Sequence, residues 1–172
     1  MIRIAIDGPG GAGKSTIAKM VAEKMNMEYI DTGAMYRAIG WMFAKNKVNT
    51  EDSAEVQDVL DRTTIEIAEG KSVVMDGRDI GTNVLPNAEV KIFLTADPMV
   101  RAKRRYDQLL ESGKEADLNS IFEDIKERDY QDTHRKLNPL QQAEDAVLLD
   151  TSDMTIDQVL DEIMKMAEGK NE

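Results

Sequence analysis

Gly8-Pro9-Gly10-Gly11-Ala12-Gly13-Lys14-Ser15 fits the pattern G-x-x-x-x-G-K-[ST] at every fixed position. What such a match means depends on its flanks. Ahead of it, Ile2-Arg3-Ile4-Ala5-Ile6 is a short β-rich segment ending at Asp7; behind it, Thr16 opens a helical pattern with Ile17, Met20, Val21 and Met25 on one face. Strand, glycine loop and helix is the arrangement of a phosphate-binding P-loop. The glycines let backbone N–H groups turn inward around an anion, and the helix start adds free N–H groups and the positive end of a dipole. In such a loop Lys14 reaches the β- and γ-phosphates of a nucleotide and the Ser15 hydroxyl binds Mg²⁺. With these flanks, a glycine-rich turn carrying a chance lysine is the poorer reading.

Downstream, Glu28-Tyr29-Ile30-Asp31 reads as a second strand and leads into Thr32-Gly33-Ala34-Met35-Tyr36-Arg37. A helix is expected from Thr32 or Gly33 to Lys45. Thr32 is then either an N-cap or a ligand contact, and Arg37 either a solvated side chain or a phosphate contact. Thr50-Glu51-Asp52 has the cap and acids of a helix start, with Val56, Val59 and Leu60 following and an end near Asp61. Thr63-Thr64-Ile65-Glu66-Ile67 alternates and predicts a strand, which Glu69-Gly70-Lys71 turns into the next one. Ser72-Val73-Val74-Met75 is a near-continuous apolar run, as expected of a strand buried on both faces of a parallel sheet. Asp76-Gly77-Arg78-Asp79 therefore sits at a strand's carboxyl end, where ligands bind in open α/β sheets. An acid there can hold a Mg²⁺-bound water and an arginine can clamp a phosphate; a polar loop with an internal ion pair is the alternative.

Val90-Lys91-Ile92-Phe93-Leu94 predicts the fourth parallel strand, and Asp97-Pro98 an N-cap with proline in the first turn of a helix. On that helix Arg101, Arg104 and Arg105 share a face. A further helix is expected from Leu118 to about Asp132, with Ile121, Phe122 and Ile125 apolar and Arg128, Asp132 and Arg135 aligned. The two basic stripes are either a flap over an anion or two solvated faces. Ala146-Val147-Leu148-Leu149-Asp150 predicts a fifth buried strand, and Thr155-Ile156-Asp157-Gln158 a capping box opening the last helix. His134, the single histidine, has no partner nearby in sequence and receives no role.

With 172 residues, 41% of them hydrophobic and 32% charged, the chain is expected to form one soluble α/β domain spanning residues 1–172. No apolar run has the length of a membrane span, and Asp7 and the glycines interrupt any secretory h-region. The absence of cysteine excludes disulfides and thiolate metal sites and fits a reducing cytoplasm. A net charge of −11 argues against nucleic-acid binding. Positive charge for a nucleotide must then be local, so the placement of the arginines is informative.

Taken together, Ile6-Asp7-Gly8-Pro9 with Gly13-Lys14-Ser15, Asp31-Thr32-Gly33-Ala34-Met35-Tyr36-Arg37, Asp76-Gly77-Arg78-Asp79-Ile80-Gly81-Thr82, Val90 to Leu94, and Ile125-Lys126-Glu127-Arg128-Asp129 followed by Asp132, Arg135 and Pro139-Leu140 resemble the bacterial cytidylate kinases, which are nucleoside-monophosphate kinases. The likeness covers nearly the whole chain. It implies a five-stranded parallel sheet flanked by helices, a helical lid at about residues 101–135, and transfer of the γ-phosphoryl group of ATP to CMP or dCMP with Mg²⁺. It further implies that Gly8 to Thr16, including Pro9 and Ala12, cradle ATP. Thr32, Tyr36, Arg37, Asp76, Arg78 and Asp79 would lie on the monophosphate side. Arg37 and Arg78 would hold the phosphate, Asp79 would lie near the base, and Arg128 and Asp132 near the ribose. Lys14, Arg78, Arg128 and Arg135 would carry the catalysis, Ser15 the metal contact, and a cytoplasmic monomer is expected.

One departure stands out. The family carries an extra subdomain, supplying a serine and an arginine to cytosine, where this chain passes almost directly from residue 67 to residue 73. The resemblance therefore leaves base recognition more open than fold or phosphate chemistry. Two other readings stay open: another small P-loop kinase, acting on a sugar acid or a different monophosphate, and a nucleotide-binding variant with little activity. The chain contains no Ser/His/Asp or Cys/His constellation. Phosphoryl transfer to an acceptor oxygen already anionic near neutral pH needs positioning and charge stabilisation rather than a general base.

Overall fold

A computed structural model describes residues 1–46 and 53–169. In chain order the elements are β1 (Arg3–Asp7), α1 (Lys14–Met25), β2 (Glu28–Asp31), α2 (Thr32–Asn46), α3 (Ser53–Ala68), β3 (Val73–Gly77), a π-type turn (Ile80–Val84), β4 (Val90–Thr95), α4 (Pro98–Glu111), α5 (Leu118–His134), β5 (Val147–Asp150) and α6 (Ile156–Glu168). The strands form one sheet in the order β2-β3-β1-β4-β5, and every pairing is parallel.

Strand alternation builds two cores. Ile4, Ile6, Ile92 and Leu94 pack with Ile17 and Val21 of α1 and Leu160 and Ile163 of α6. Ala5, Val73 and Met75 pack on the other face with Ala68 of α3 and Ile80, Val84 and Leu85 of the π-type turn and its exit. The parallel register brings strand ends together: Ile6 and Asp31 both lie opposite Asp76, and Asp7 opposite Gly77. This carboxyl edge is where the P-loop and the Asp76–Asp79 segment emerge.

The helix starts follow their sequence signals. Asp97 accepts from Met99 N and Val100 N at the head of α4, and Thr155 and Gln158 form the capping box of α6. Three readings are corrected. Residues 63–67 are helical, forming the last turns of α3, which ends at Ala68 rather than near Asp61. Thr64 and Ala68, four apart, are buried, whereas Ile65 and Ile67 stand partly exposed; burial at helical spacing overrides the alternation. The join to β3 is accordingly a helix end, with Gly70 at φ +71, and not a hairpin. The predicted start at Thr50-Glu51-Asp52 lies outside the described residues. Finally, β5 is an edge strand with Val147 and Leu148 46% and 55% exposed, not a buried one. An apolar run does not distinguish a central strand from an edge.

Candidate active site

The P-loop depends on glycine at its entry. A Cβ on Gly8, at φ +147, would stand 1.9 Å from the backbone oxygen of Leu94, so β4 packs directly against the loop's backbone. Lys14 is buried, its Nζ donating to Pro9 O at 2.8 Å. Burial pulls its ammonium down to about 7; the charge of Arg78 acts in the same direction, while Asp76, Asp7 and Asp132 oppose it.

Asp7, one residue before the loop, holds a turn that sequence reasoning missed. Its two carboxylate oxygens accept from Ile80 N at 2.8 Å and Gly81 N at 2.7 Å, fixing the start of the π-type turn directly behind Arg78 and Asp79. Burial raises the Asp7 carboxyl to about 6, against the pull of these two N–H groups. Only its position before the glycines hinted at a role.

Asp76 joins the loop to β2 and β3. Ser15 Oγ and Tyr29 Oη donate to its two oxygens, both at 2.7 Å, and Thr32 Oγ1 donates to its backbone carbonyl at 2.7 Å. Thr32 is thus buried at the strand edge. Tyr29 had no signal beyond its place in a strand.

The arginines divide into distinct groups. Arg78 donates from Nε to Asp132 at 2.7 Å. The guanidinium groups of Arg78 and Arg128 both lie close to Gly10: a Cβ there would be 3.6 Å from Arg78 Nη2 and 3.9 Å from Arg128 Cζ. Arg135 pairs with Asp79 at 3.2 Å. Arg37 stays apart, 73% exposed and 4.0 Å from Asp31. The expected face of Arg101, Arg104 and Arg105 is not one solvated stripe. Arg101 is buried, donating to Ala96 O, Gly10 O and the carboxylate of Asp129. Arg104 donates to Thr151 O at 2.6 Å, and the exposed Arg105 bonds Gln108. Together with Gly11 to Ile17, Thr151 and Thr155 they border a cleft of about 600 Å³, which includes Thr16.

On the opposite flank, Tyr36 Oη donates to Asp61 at 3.2 Å, and burial raises the Tyr36 hydroxyl well above its ordinary value. Asp79 is fully buried. Burial raises its carboxyl, Arg135 opposes the rise, and Asp61 adds to it. Asp61 was invisible in the sequence because its helix was taken to end there. No group of three or more histidines or carboxylates suited to a metal occurs among the described residues, and no described helix is long and apolar enough to cross a membrane.

A parallel sheet of this order with a glycine loop, buried lysine and converging arginines at its carboxyl edge defines a small P-loop kinase. Solved structures agree at the level of fold: a shikimate kinase from Bacteroides thetaiotaomicron (TM-score 0.63, 19% identity, 97% of this chain and 98% of that one) and a gluconokinase from Sinorhizobium meliloti 1021 (TM-score 0.60, 16% identity, 98% and 94%). The family described as cytidylate kinase matches residues 4–71 and 54–169. The cytidylate kinase of Ligilactobacillus salivarius is 39% identical over 219 aligned positions, covering 99% of this chain and 98% of the relative; that of Desulforamulus reducens is 40% identical over 213, covering 96% of each. The chain belongs to the cytidylate kinase family.

Proposed function

We infer that this site phosphorylates CMP and dCMP at the expense of ATP, with the P-loop holding the triphosphate and the arginines around Asp79 and Asp132 holding the monophosphate. The observation that carries this assignment of roles is the gathering of Arg78 and Arg128 beside Gly10, with Asp132 bonded to Arg78 and with Lys14 within electrostatic reach of Arg78 and Asp132. Gly8 to Thr16 wrap the phosphates of ATP, whose nucleoside occupies the cleft bordered by Arg101, Arg104 and Thr151. Lys14 exchanges Pro9 O for a phosphate oxygen. Arg78 and Arg128 take the monophosphate, joined by Arg37 from the rim. Asp132 serves the ribose, and Asp79 faces the base, backed by Arg135, Tyr36 and Thr32.

Ser15 and Asp76 fit Mg²⁺, since a hydroxyl and a carboxylate already in contact supply the hard oxygen donors this ion takes alongside phosphate and water. When bound, the ion neutralises charge on the β- and γ-phosphates. Proton transfer asks little of the protein because the acceptor is a phosphate oxygen, so the residues act by position and charge. The moving lid lies in the distal parts of α4 and α5, since Arg101 fastens the start of α4 to Gly10. Every residue named comes from one chain, so a monomer suffices, and membership of the family supports a cytoplasmic location.

A second reading, a nucleotide-binding variant with little activity, draws on one fact: the alignment with the L. salivarius relative spans 219 positions and this chain has 172 residues. We place the relative's additional residues within 54–71, the stretch of α3 and its end over which the two parts of the family match overlap. A coupled ATP-consumption assay across CMP, dCMP, UMP and AMP decides. Turnover with CMP and dCMP well above the others is expected; ATP binding without turnover of any acceptor gives the second reading.

A further inference from the structure

Tyr29 reaches Asp76 from the neighbouring strand. In the parallel register Asp31 lies opposite Asp76 and Tyr29 opposite Val74, and strand residues two apart share a face. Tyr29, Val74 and Asp76 therefore point to the side covered by α1, where the Tyr29 ring packs against the core that holds Ile17 and Val21. Ser15 lies in the first turn of that helix. The sheet thus brings a carboxylate and a phenol, and α1 a hydroxyl, to one point. Because a carboxylate only accepts, both hydroxyls donate to it: Tyr29 Oη to Oδ1 and Ser15 Oγ to Oδ2, each at 2.7 Å. Asp76 is buried, and these two are the donors to its carboxylate among the described residues.

The pair of bonds does more than tie β2 to β3. The terminal torsion of an aspartate is broad, so a carboxylate held by one donor can swing about its Cβ–Cγ bond. A second donor on the other oxygen fixes its plane. A carboxylate has about four accepting positions, so two remain on Asp76, and Tyr29 and Ser15 together set their direction. Because Ser15 is the donor in its bond to Asp76, its oxygen lone pairs stay available to a cation. Mg²⁺ demands near-ideal octahedral geometry and keeps several of its waters, so the direction of an acceptor beside it matters as much as its presence. Groups that orient the ligands of a metal typically change its affinity by about 10- to 100-fold.

We propose that Tyr29 is a positioning residue for the metal of the phosphate site: its hydroxyl holds the Asp76 carboxylate in the orientation that serves Mg²⁺ together with Ser15, without touching the ion or either substrate. The proposal rests on the kinase reading above, in which Ser15 and Asp76 take Mg²⁺ alongside ATP.

The test is Tyr29→Phe, which keeps the ring in the core and removes only the hydroxyl. Calorimetric titration of MgCl₂ into the complex of the full chain with a non-hydrolysable ATP analogue reads the metal affinity. Titration of the same analogue in EDTA reads the nucleotide site without metal. In Tyr29→Phe the Mg²⁺ affinity should fall at least about tenfold, with the analogue in EDTA bound within about twofold of wild type. In steady-state rates the free Mg²⁺ for half-maximal turnover should rise to match, with KM for CMP and kcat at saturating Mg²⁺ within about twofold. A merely structural tyrosine would lower the urea midpoint and leave the Mg²⁺ requirement where it was. Asp76→Ala supplies the reference: adding Tyr29→Phe to it should change the Mg²⁺ affinity by less than about twofold, since no carboxylate remains to orient. An unchanged Mg²⁺ affinity in Tyr29→Phe, an equal loss of analogue affinity in EDTA, or additive losses in the double variant overturns the proposal. So does a wild-type complex that takes up no Mg²⁺. A wild type that binds Mg²⁺ with the analogue but phosphorylates no acceptor overturns the kinase reading instead, and the calorimetric comparison still decides the role of Tyr29.

Discussion

Lys14 shows how burial and function interact at one residue. Its ammonium lies under the P-loop, held by a backbone carbonyl, and is lowered to about 7 chiefly by desolvation and then by Arg78. Replacement by alanine should reduce kcat at least about 10²-fold, because one preorganised cation in such a site is worth roughly 3 kcal/mol; single-turnover rates with CMP would measure it, and near wild-type turnover would remove Lys14 from the reaction. The same burial makes a second expectation. Above pH 7 the free protein holds Lys14 largely neutral, while bound phosphates favour the ammonium and raise its pKa. ATP binding at pH 8 should therefore take up close to one proton at Lys14, an uptake that fades as the pH falls below 7. Calorimetry in buffers of different ionisation enthalpy reads it directly, and Lys14→Met should abolish it. At this scale the sequence was informative where a motif fixes a position: Ser15 bonds Asp76, and Lys14 lies within electrostatic reach of Asp76 and Arg78. It was silent where a role is defined by partners distant in the chain. Asp61 touches residues 36, 83 and 138, and no local pattern encodes such a meeting.

Among the elements, strands and caps were legible because they have local causes: apolar runs for β1, β3 and β4, and side-chain acceptors ahead of α4 and α6. The last turns of α3 were not, since Thr, Ile, Glu and Ile in alternation satisfy a strand pattern until one knows that Thr64 and Ala68 face the core. The π-type turn was equally hidden, because its cause is Asp7, about seventy residues away in sequence, accepting from Ile80 N and Gly81 N. Asp7→Asn should lower stability by about 1–3 kcal/mol at pH 7, since an amide must point an NH₂ at one of two buried N–H donors. Urea unfolding measures this. The pH dependence follows from the sign of the shift. The folded-state value, about 6, lies above the ordinary aspartate value of 3.8, so between these limits the folded protein binds the extra proton. The Asp7 contribution is fully present below about pH 4 and is lost as pH rises through 6. The wild type should therefore lose stability relative to Asp7→Asn as pH rises from 4 to 6, and parallel profiles for the two proteins would show that Asp7 is not titrating in that range.

For the whole molecule, a chain of net charge −11 gathers Arg78, Arg101, Arg128 and Arg135 at one sheet edge, and in the proposed function the two substrates meet different parts of that edge. ATP would rely on the P-loop, α1 and the base of α4, all built on β1 and β4. In that reading the monophosphate base relies on the flank formed by α2, α3 and the π-type turn, the part of the chain over which the two segments of the family match overlap or adjoin. The family likeness implies two side-chain contacts to cytosine, from a serine and an arginine, and the shorter join of this chain leads us to propose that both are missing. Hydrogen bonds involving charged groups contribute about 1.5–3 kcal/mol each, and water replaces part of that in a more open site. A net loss of roughly 2–4 kcal/mol corresponds to about 30- to 1000-fold weaker CMP binding, at about 1.4 kcal/mol per tenfold. Calorimetric titration of CMP and of a non-hydrolysable ATP analogue into this chain and into the L. salivarius relative should show that deficit for CMP and similar affinities for the ATP analogue. Equal CMP affinities would mean that the missing contacts are dispensable or are replaced by another segment, whereas a parallel loss of ATP affinity would mean that the two halves of the edge are not independent.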